Sequence, residues 1–454
     1  MPQSPVSHSI CIFEDAKFSD FYPLALSQPL FDLRIGAGTL RSRWSEETPR
    51  EALALICREY LGESVKLAVP HAAVNELRTT DTLFINARWL CFGDERERFL
   101  SSLPENAIAL KGNAVVAART RAEAAGELAA ALGAHVSDAA IDAACRRHKA
   151  RAANPHDDGD TTEIPADIVR VIDTHRLRQL EFAEARLIDR PWDLMAHNSA
   201  CIVDDFTRRT GRRGSSGNVP AGVQLIEKGR IAVATGADLR AGVVIDASDG
   251  PVVIGARARI MPNAVVIGPA AIGADSVVKP GARLLGGTSI GSVCKVGGEV
   301  DETIFADYSN KQHDGFIGHS YIGSWANLGA ASNNSDLKNN YGTVRMWSGG
   351  RFLDSGRQFL GLVLGDHTKT GINAVFNTGT VVGFNCNLYS SEMPDAFVPS
   401  FSWGHGRELT PYRLDKAMET AAIVMQRRGV VFSEVHRRIF ERIHAIVAAS
   451  GGNA

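Results

Sequence analysis

The sequence predicts an α/β plus β-solenoid chain: a Rossmann-like α/β domain, then a parallel β-helix, then C-terminal helices. Two observations carry this. Glycine is split sharply, with 8 of 43 in residues 1–210 and the other 35 in 211–454, so an ordinary α/β part precedes a turn-rich one. From Ile254 an aliphatic residue recurs every six positions, a period that neither a helix nor a flat strand supplies. At about 150 residues per domain, 454 residues make two or three domains. The glycine boundary and the end of the repeat divide them at 1–210, 211–404 and 405–454.

Composition narrows the function classes. Hydrophobic residues are 44% and charged residues 22%, enough to build sizeable cores. Lys+Arg total 49 against Asp+Glu 51, for a net charge of -2, so the chain-wide basic field of a nucleic-acid binder is absent. No run of 18 apolar residues occurs, and Met1-Pro2-Gln3-Ser4-Pro5 is neither a charged nor an apolar leader, so no membrane association is expected and a cytoplasmic location is. Seven scattered cysteines without a C-x-x-C pair read as reduced thiols, with no metal site among them.

In the first part, Ile10-Cys11-Ile12-Phe13 is the expected first strand, and Thr48-Pro49-Arg50-Glu51 is a capping box that predicts a helix to about Leu61. Val65–Val69 and Thr82–Ile85 read as strands and Arg121–Leu132 as an Ala-rich helix. Such alternation predicts a mostly parallel sheet with its ligand beyond a strand's carboxyl end, which is the segment after Phe13. His148–Glu163, with the acidic run His156-Asp157-Asp158-Gly159-Asp160, reads as a solvated loop in preference to a cation site. Arg208–Gly217 reads as a flexible basic linker in preference to a phosphate contact.

In the second part, Ile254, Ile260, Val266, Ile272, Val278, Leu284, Ile290 and Val296 keep the six-residue period, with mostly small residues four positions after each. This hexapeptide pattern marks a parallel β-helix whose aliphatics fill a narrow prism. The phase breaks between Val300 and Phe316 and between Ala330 and Leu364; both breaks read as insertions, where solenoids carry binding loops. An exposed prism flank predicts a homotrimer. After Gly404, Thr410-Pro411 predicts a helix to about Arg428, and Ser433 caps another, with Val424, Val431, Ile439 and Ile443 packing inward.

The breaks carry motifs: Gly298-Glu299-Val300-Asp301, then Lys311-Gln312-His313-Asp314-Gly315-Phe316-Ile317-Gly318-His319, then Asn327-Leu328-Gly329-Ala330. Together with Lys279-Pro280-Gly281-Ala282 they resemble the bifunctional N-acetylglucosamine-1-phosphate uridylyltransferase / glucosamine-1-phosphate acetyltransferase family, whose Glu-to-His and His-to-Asn spacings of 14 recur here. The resemblance implies a left-handed β-helix. It implies His313 as catalytic base with Glu299 beside it, substrate contacts at Lys279, Lys311, Asn327, Asn340 and Tyr341, and acetyl-CoA held between neighbouring prisms, with Lys369 on its phosphates.

Asp301 and Phe316 depart from the family's lysine and tyrosine, and the later motif is expanded to Asn333–Gly342, so the acceptor sugar is left open. The start of the chain resembles the family's nucleotidyltransferase half more loosely. Glu14-Asp15 and Leu33-Arg34-Ile35-Gly36 follow the first strand, but the glycine-rich phosphate loop is missing. This implies Asp15 as a Mg²⁺ position and Arg34 and Gly36 as nucleotide contacts. Pro191–Phe206 reads as the helix leading to the β-helix.

The function expected is therefore sugar-phosphate transfer: acetyl transfer on the β-helix and nucleotidyl transfer at the N-terminal domain, with a sugar phosphate and a nucleotide as small-molecule partners. Two alternatives stand beside it. One is a non-catalytic nucleotide-sugar-binding scaffold. The other is a zinc hydrolase like the trimeric γ-type carbonic anhydrases, using His313, His319 and His367.

Overall fold

Four consecutive apolar residues need cover on both faces, and Ile10–Phe13 accordingly lie within β1 (Ser9–Phe13), mid-sheet. The computed structural model describes residues 9–46, 48–76, 80–154, 163–211, 219–389 and 391–452. The remaining strands of this sheet are β2 (Leu53–Ile56), β3 (Ala73–Val74), β4 (Thr82–Asn86), β5 (Ala107–Lys111), β6 (Ala114–Thr120) and β7 (Arg178–Glu181). Their spatial order is β7-β5-β6-β4-β1-β2-β3, antiparallel only where β6 meets β4 and β5.

Two expectations fail here. Residues 50–52 make a single 3-10 turn and the chain then enters β2, because Leu53-Ala54-Leu55-Ile56 is wholly buried beside β1. Val65–Val69 is not a strand but mostly part of helix α1 (Gly62–Ala68): Val65 and Val69 are buried while Leu67 is exposed, the four-residue spacing of one helix face.

Helix α2 (Glu95–Ser102) follows β4, and the Ala-rich segment forms α3 (Ala122–Ala134). Ser137 caps α4 (Asp138–Ala153), so residues 148–153 of the expected loop are helical, and the acidic run at 156–160 lies outside the described residues. Residues 122–153 are apolar enough by composition to cross a bilayer, yet the Ser137 cap splits them into two helices with buried faces. After α5 (Ala166–His175) comes α6 (Pro191–Thr210), closed by Gly211 in the left-handed region. Arg208 and Arg209 therefore end a helix, and residues 212–217 of the expected linker lie outside the described residues.

The β-helix is left-handed and begins at Gln224, thirty residues before the period becomes regular. Three faces of 6, 9 and 10 strands start at Gln224–Ile226, Ile231–Val233 and Asp238–Leu239. Ile254, Ile272 and Ile290 stack 18 residues apart, each fully or almost fully enclosed. Each such side chain contributes about 1.5–3 kcal/mol of burial.

The first break is a shortening rather than an insertion. Ile290 to Phe305 and Phe305 to Ile322 span 15 and 17 residues where earlier coils span 18. The second break is an excursion: Ile322 pairs with Leu364. It contains a hairpin, Arg345–Ser348 with Arg351–Asp354, turned by Gly349 and Gly350 at φ +59° and +88°. Its tip docks on the N-terminal domain. Ser348 Oγ donates to the Asp20 carbonyl at 2.7 Å, and a Cβ on Gly350 would stand 2.5 Å from His148 Cα.

Thr410 and Pro411 close an antiparallel strand with Ser402–His405 instead of opening a helix. The helices are α7 (Leu414–Gln426) and α8 (Glu434–Ala449), the latter capped by Ser433. Ile439 and Ile443 join the core of the N-terminal domain; Val424 is only half-buried and Val431 is 78% exposed, so neither anchors the tail.

Candidate functional site

A pocket of about 190 Å³ opens at the carboxyl ends of β1 and β4, in the place expected for a ligand. Phe13, Val115, Leu132, Pro165 and Ile168 make an apolar wall; Asp15, Lys17, Asp20, Arg88, Arg147 and Arg151 make a charged one. Such a pairing suits a sugar ring or base on one side and hydroxyl or phosphate oxygens on the other.

Glu14, Asp15 and Asp20 of this pocket are committed. Asp15 Oδ2 accepts from Arg88 Nη2 at 2.6 Å and Asn86 Nδ2 at 2.9 Å, while Oδ1 accepts from Arg88 Nε at 2.9 Å and the Lys17 N–H at 3.1 Å. Burial pushes the Asp15 carboxyl up, but Arg88 and these donors hold it below its ordinary value. Glu14 is enclosed with Arg58. Asp20 meets Arg190 at 2.9 Å and Lys17 and Arg151 at 3.6 Å. Asp15 thus has no oxygen left for Mg²⁺, and among the described residues no group of three His, Cys, Asp or Glu side chains is placed to hold a metal. The site as built does not fit the ion.

Arg34 and Gly36 lie away from the pocket, at the junction with the β-helix. Arg34 Nη2 donates to Asp307 Oδ1 at 2.6 Å and its N–H to Tyr321 Oη at 2.9 Å. The Gly36 N–H donates to Asn198 Oδ1 at 2.7 Å, and its carbonyl accepts from Ser289 Oγ at 2.8 Å. At φ +62°, a Cβ there would collide with Asp205 Oδ2. Both residues join domains rather than contact a nucleotide. The pocket's basic groups escaped sequence reasoning because Arg147 and Arg151 sit on α4, within a stretch partly expected to be loop, and no motif marks them.

On the β-helix, His313 is exposed at the corner between the third and first faces. Glu299 does not reach it: its carboxylate accepts from Arg283 Nε at 2.9 Å. Lys279 flanks the same corner, its Cβ 3.1 Å from where a Cβ on Gly297 would stand. Lys311 faces the prism interior between Val296 and Leu328, and its Nζ donates to the Gly297 and His313 carbonyls at 3.0 and 2.9 Å. Burial lowers this ammonium to about 8. Lys311 is a corner tie, not a substrate contact.

Lys369 is likewise lowered to about 8 by burial and donates to the His367 carbonyl at 2.5 Å. Asn327 is exposed beside Asn310 and Lys369 on the third face. Asn340 Oδ1 accepts from the Gly342 N–H at 3.1 Å and Tyr341 is 67% exposed, both far along the excursion.

His319 has a constellation that the sequence hid. Its Nδ1 lies 2.8 Å from Asp336 Oδ2 and its Nε2 3.4 Å from Glu302 Oε2, with Phe359 stacked on the ring. Asp336 follows it by 17 residues, the length of one shortened coil, which is the signal that would have found it. His367 is buried against Phe384 and Phe440, which lowers its pKa. His313, His319 and His367 thus occupy unlike surroundings, and the last two do not offer nitrogens to a shared zinc.

Comparison with known proteins follows the division of the fold. Residues 10–214 match the family model described as sugar nucleotidyl transferase. Residues 251–286 match the bacterial transferase hexapeptide model of six repeats. The chain resembles these two families joined end to end. The family resemblance expected from the motifs therefore stands.

A bifunctional sugar-1-phosphate nucleotidylyltransferase/acetyltransferase of Sulfurisphaera tokodaii is 31% identical over 97 residues, 21% of this chain and 24% of that protein. The bifunctional protein GlmU of Methanocaldococcus jannaschii is 29% identical over 115 residues, 25% and 28% of the two chains. The chain thus spans about a quarter of the length of these relatives. A UDP-N-acetylglucosamine acyltransferase from Campylobacter jejuni aligns over 51% of this chain and 83% of its own, at 16% identity and a TM-score of 0.23.

Proposed function

We propose that the chain is a sugar-phosphate transferase with two sites, acetyl transfer from acetyl-CoA at the His313 corner and nucleotide-sugar chemistry in the N-terminal pocket. The observation that carries it is the pocket at the carboxyl ends of β1 and β4, with its apolar wall set against Lys17, Arg147 and Arg151. The two curated relatives, both named bifunctional, support the pairing of activities.

At the β-helix, the amine of an amino-sugar phosphate attacks the thioester carbonyl, His313 takes the ammonium proton, and the carbon–sulfur bond breaks to release the coenzyme thiol. Acyl transfer needs donors for the developing oxyanion, and Lys279 flanks the corner where the sugar phosphate would sit. A homotrimer, in a reducing cytoplasm that keeps the seven buried thiols free, belongs to this reading.

In the N-terminal pocket Lys17, Arg147 and Arg151 orient phosphate oxygens; no step is routed through Mg²⁺. A thermal-shift panel with UTP, UDP-sugars, sugar 1-phosphates and acetyl-CoA tests the assignment: ligands of both sites raise the midpoint if it is right, and silence to all of them contradicts it. The exposed His313 ring and the Arg283-bound Glu299 favour a second reading, a nucleotide-sugar-binding scaffold, for which midpoints rise with nucleotide sugars but no acetyl product forms.

A further inference from the structure

Every residue lining the N-terminal pocket belongs to the N-terminal domain, yet two of them are held from the β-helix side. Asp20 and Arg151 are each 3% exposed, and both are met by the tip of the excursion hairpin. Arg151 Nη1 donates to the Gly349 carbonyl at 3.3 Å, across 198 positions of chain. A Cβ on Gly349 would collide with Asp20 Oδ1 and stand 3.2 Å from Arg151 Nη1. Ser348 Oγ donates to the Asp20 carbonyl at 2.7 Å and accepts from Arg190 Nη1 at 3.3 Å. The same Arg190 nitrogen reaches Asp20 Oδ2 at 2.9 Å. Gly350 then abuts His148, about one helical turn before Arg151 on α4.

A long arginine gives up much rotamer freedom when it grips a phosphate, and a site binds more tightly when that ordering precedes the ligand. Asp20 stands 3.6 Å from Arg151 Nη1 on one side and the Gly349 carbonyl 3.3 Å on the other. Neither group belongs to α4, so the helix alone does not fix this guanidinium. The excursion itself is rooted on the prism. Asp336 Oδ2 lies 2.8 Å from His319 Nδ1, and the Leu360 N–H donates to the Asp336 carbonyl at 2.8 Å.

We infer that Ser348 and Gly349 are positioning residues of the N-terminal pocket, setting Asp20 and Arg151 for the phosphate of its ligand. The pocket is complete only while the tip of the β-helix excursion is docked. This rests on the reading of the pocket as a nucleotide-sugar site and adds to it a part supplied by the second domain. By linkage, a ligand that binds the docked form more tightly also holds the tip docked.

The test is calorimetric titration of the full-length protein with UDP-N-acetylglucosamine, well below every thermal midpoint. Wild type is compared with Ser348→Ala, Gly350→Ala and Gly356→Ala, the last a left-handed glycine of the same excursion with nothing within 4 Å of its added Cβ. Ser348→Ala and Gly350→Ala should each weaken binding about fivefold or more, and Gly356→Ala should not change it. In wild type, saturating ligand should slow amide exchange across 345–354 by a similar factor, which a merely structural contact would not produce. Lower midpoints with affinity intact in both tip variants, or tip exchange indifferent to ligand, overturn the positioning role while the pocket reading survives. No binding by wild type removes that reading and this inference with it.

Discussion

Lys311 Nζ lies 2.9 Å from the His313 carbonyl oxygen, so a lysine rooted inside the prism ties down the corner that carries the exposed imidazole. Its ammonium titrates near 8 when folded, against 10.5 for the free group. Between those values the unfolded chain keeps a proton that the folded chain has released, so stability rises with pH from about 8 to about 10.5 and is flat below 8. Lys369 adds a second contribution of the same sign. Each amounts to about 3 kcal/mol at most. In Lys311→Met the gain in urea midpoint between pH 7.5 and 10 should shrink to about half of wild type; an unchanged gain contradicts the assignment.

Asp366 has the opposite pH sign. It accepts from Ser27 Oγ at 2.5 Å and the Ser324 N–H at 2.7 Å at the domain junction, and burial raises its carboxyl to about 7. Between about 4 and about 7 the folded chain holds a proton that the unfolded chain has lost, so stability falls as pH rises through that window. Asp366→Asn keeps an acceptor for Ser324 and removes the titration. The variant should unfold at a higher temperature than wild type at pH 8 and show a flatter profile from pH 5 to 8; a variant less stable at pH 8 rejects this account.

The excursion hairpin should act as a clamp. Gly350 and Gly356 both have positive φ, +88° and +67°, but a Cβ on Gly350 meets the His148 backbone while one on Gly356 meets nothing within 4 Å. Alanine at 356 should therefore cost only backbone strain, about 1 kcal/mol. Alanine at 350 adds a collision with α4 and should cost at least about 1 kcal/mol more by denaturant unfolding. Equal losses would mean that the docked tip contributes nothing.

The N-terminal pocket makes a binding prediction. Arg147→Ala removes a cation from the charged wall and should weaken a UDP-sugar about tenfold by calorimetry, with little change in thermal midpoint of the free protein. Unaltered affinity would move the nucleotide sugar elsewhere.

What could be read beforehand follows from how each signal is encoded. The prism was legible because a six-residue period repeats one local rule, and every coil must bury one aliphatic. The pocket's position followed from β1 alone. Leu53–Ile56 was misread because a capping box is a local pattern and the strand that overrides it is chosen by contact with β1, over forty residues away. Arg34 and Gly36 were expected as nucleotide contacts from a loose family resemblance, yet their partners Asp307, Asn198 and Ser289 are 162 to 273 positions distant. Lys311 falls where the period is interrupted, and only the register with Val296 and Leu328 turns its side chain inward, so no sequence pattern marked it.

The sharpest test is mass-spectrometric detection of N-acetylation of an amino-sugar 1-phosphate by acetyl-CoA, comparing wild type with His313→Ala at matched thermal midpoints. Wild type should form product, and the variant should lose about 100-fold or more of the rate, the usual scale of a missing general base. Product formed at an equal rate by both proteins would contradict the role of His313, and none from wild type would leave the β-helix as a scaffold.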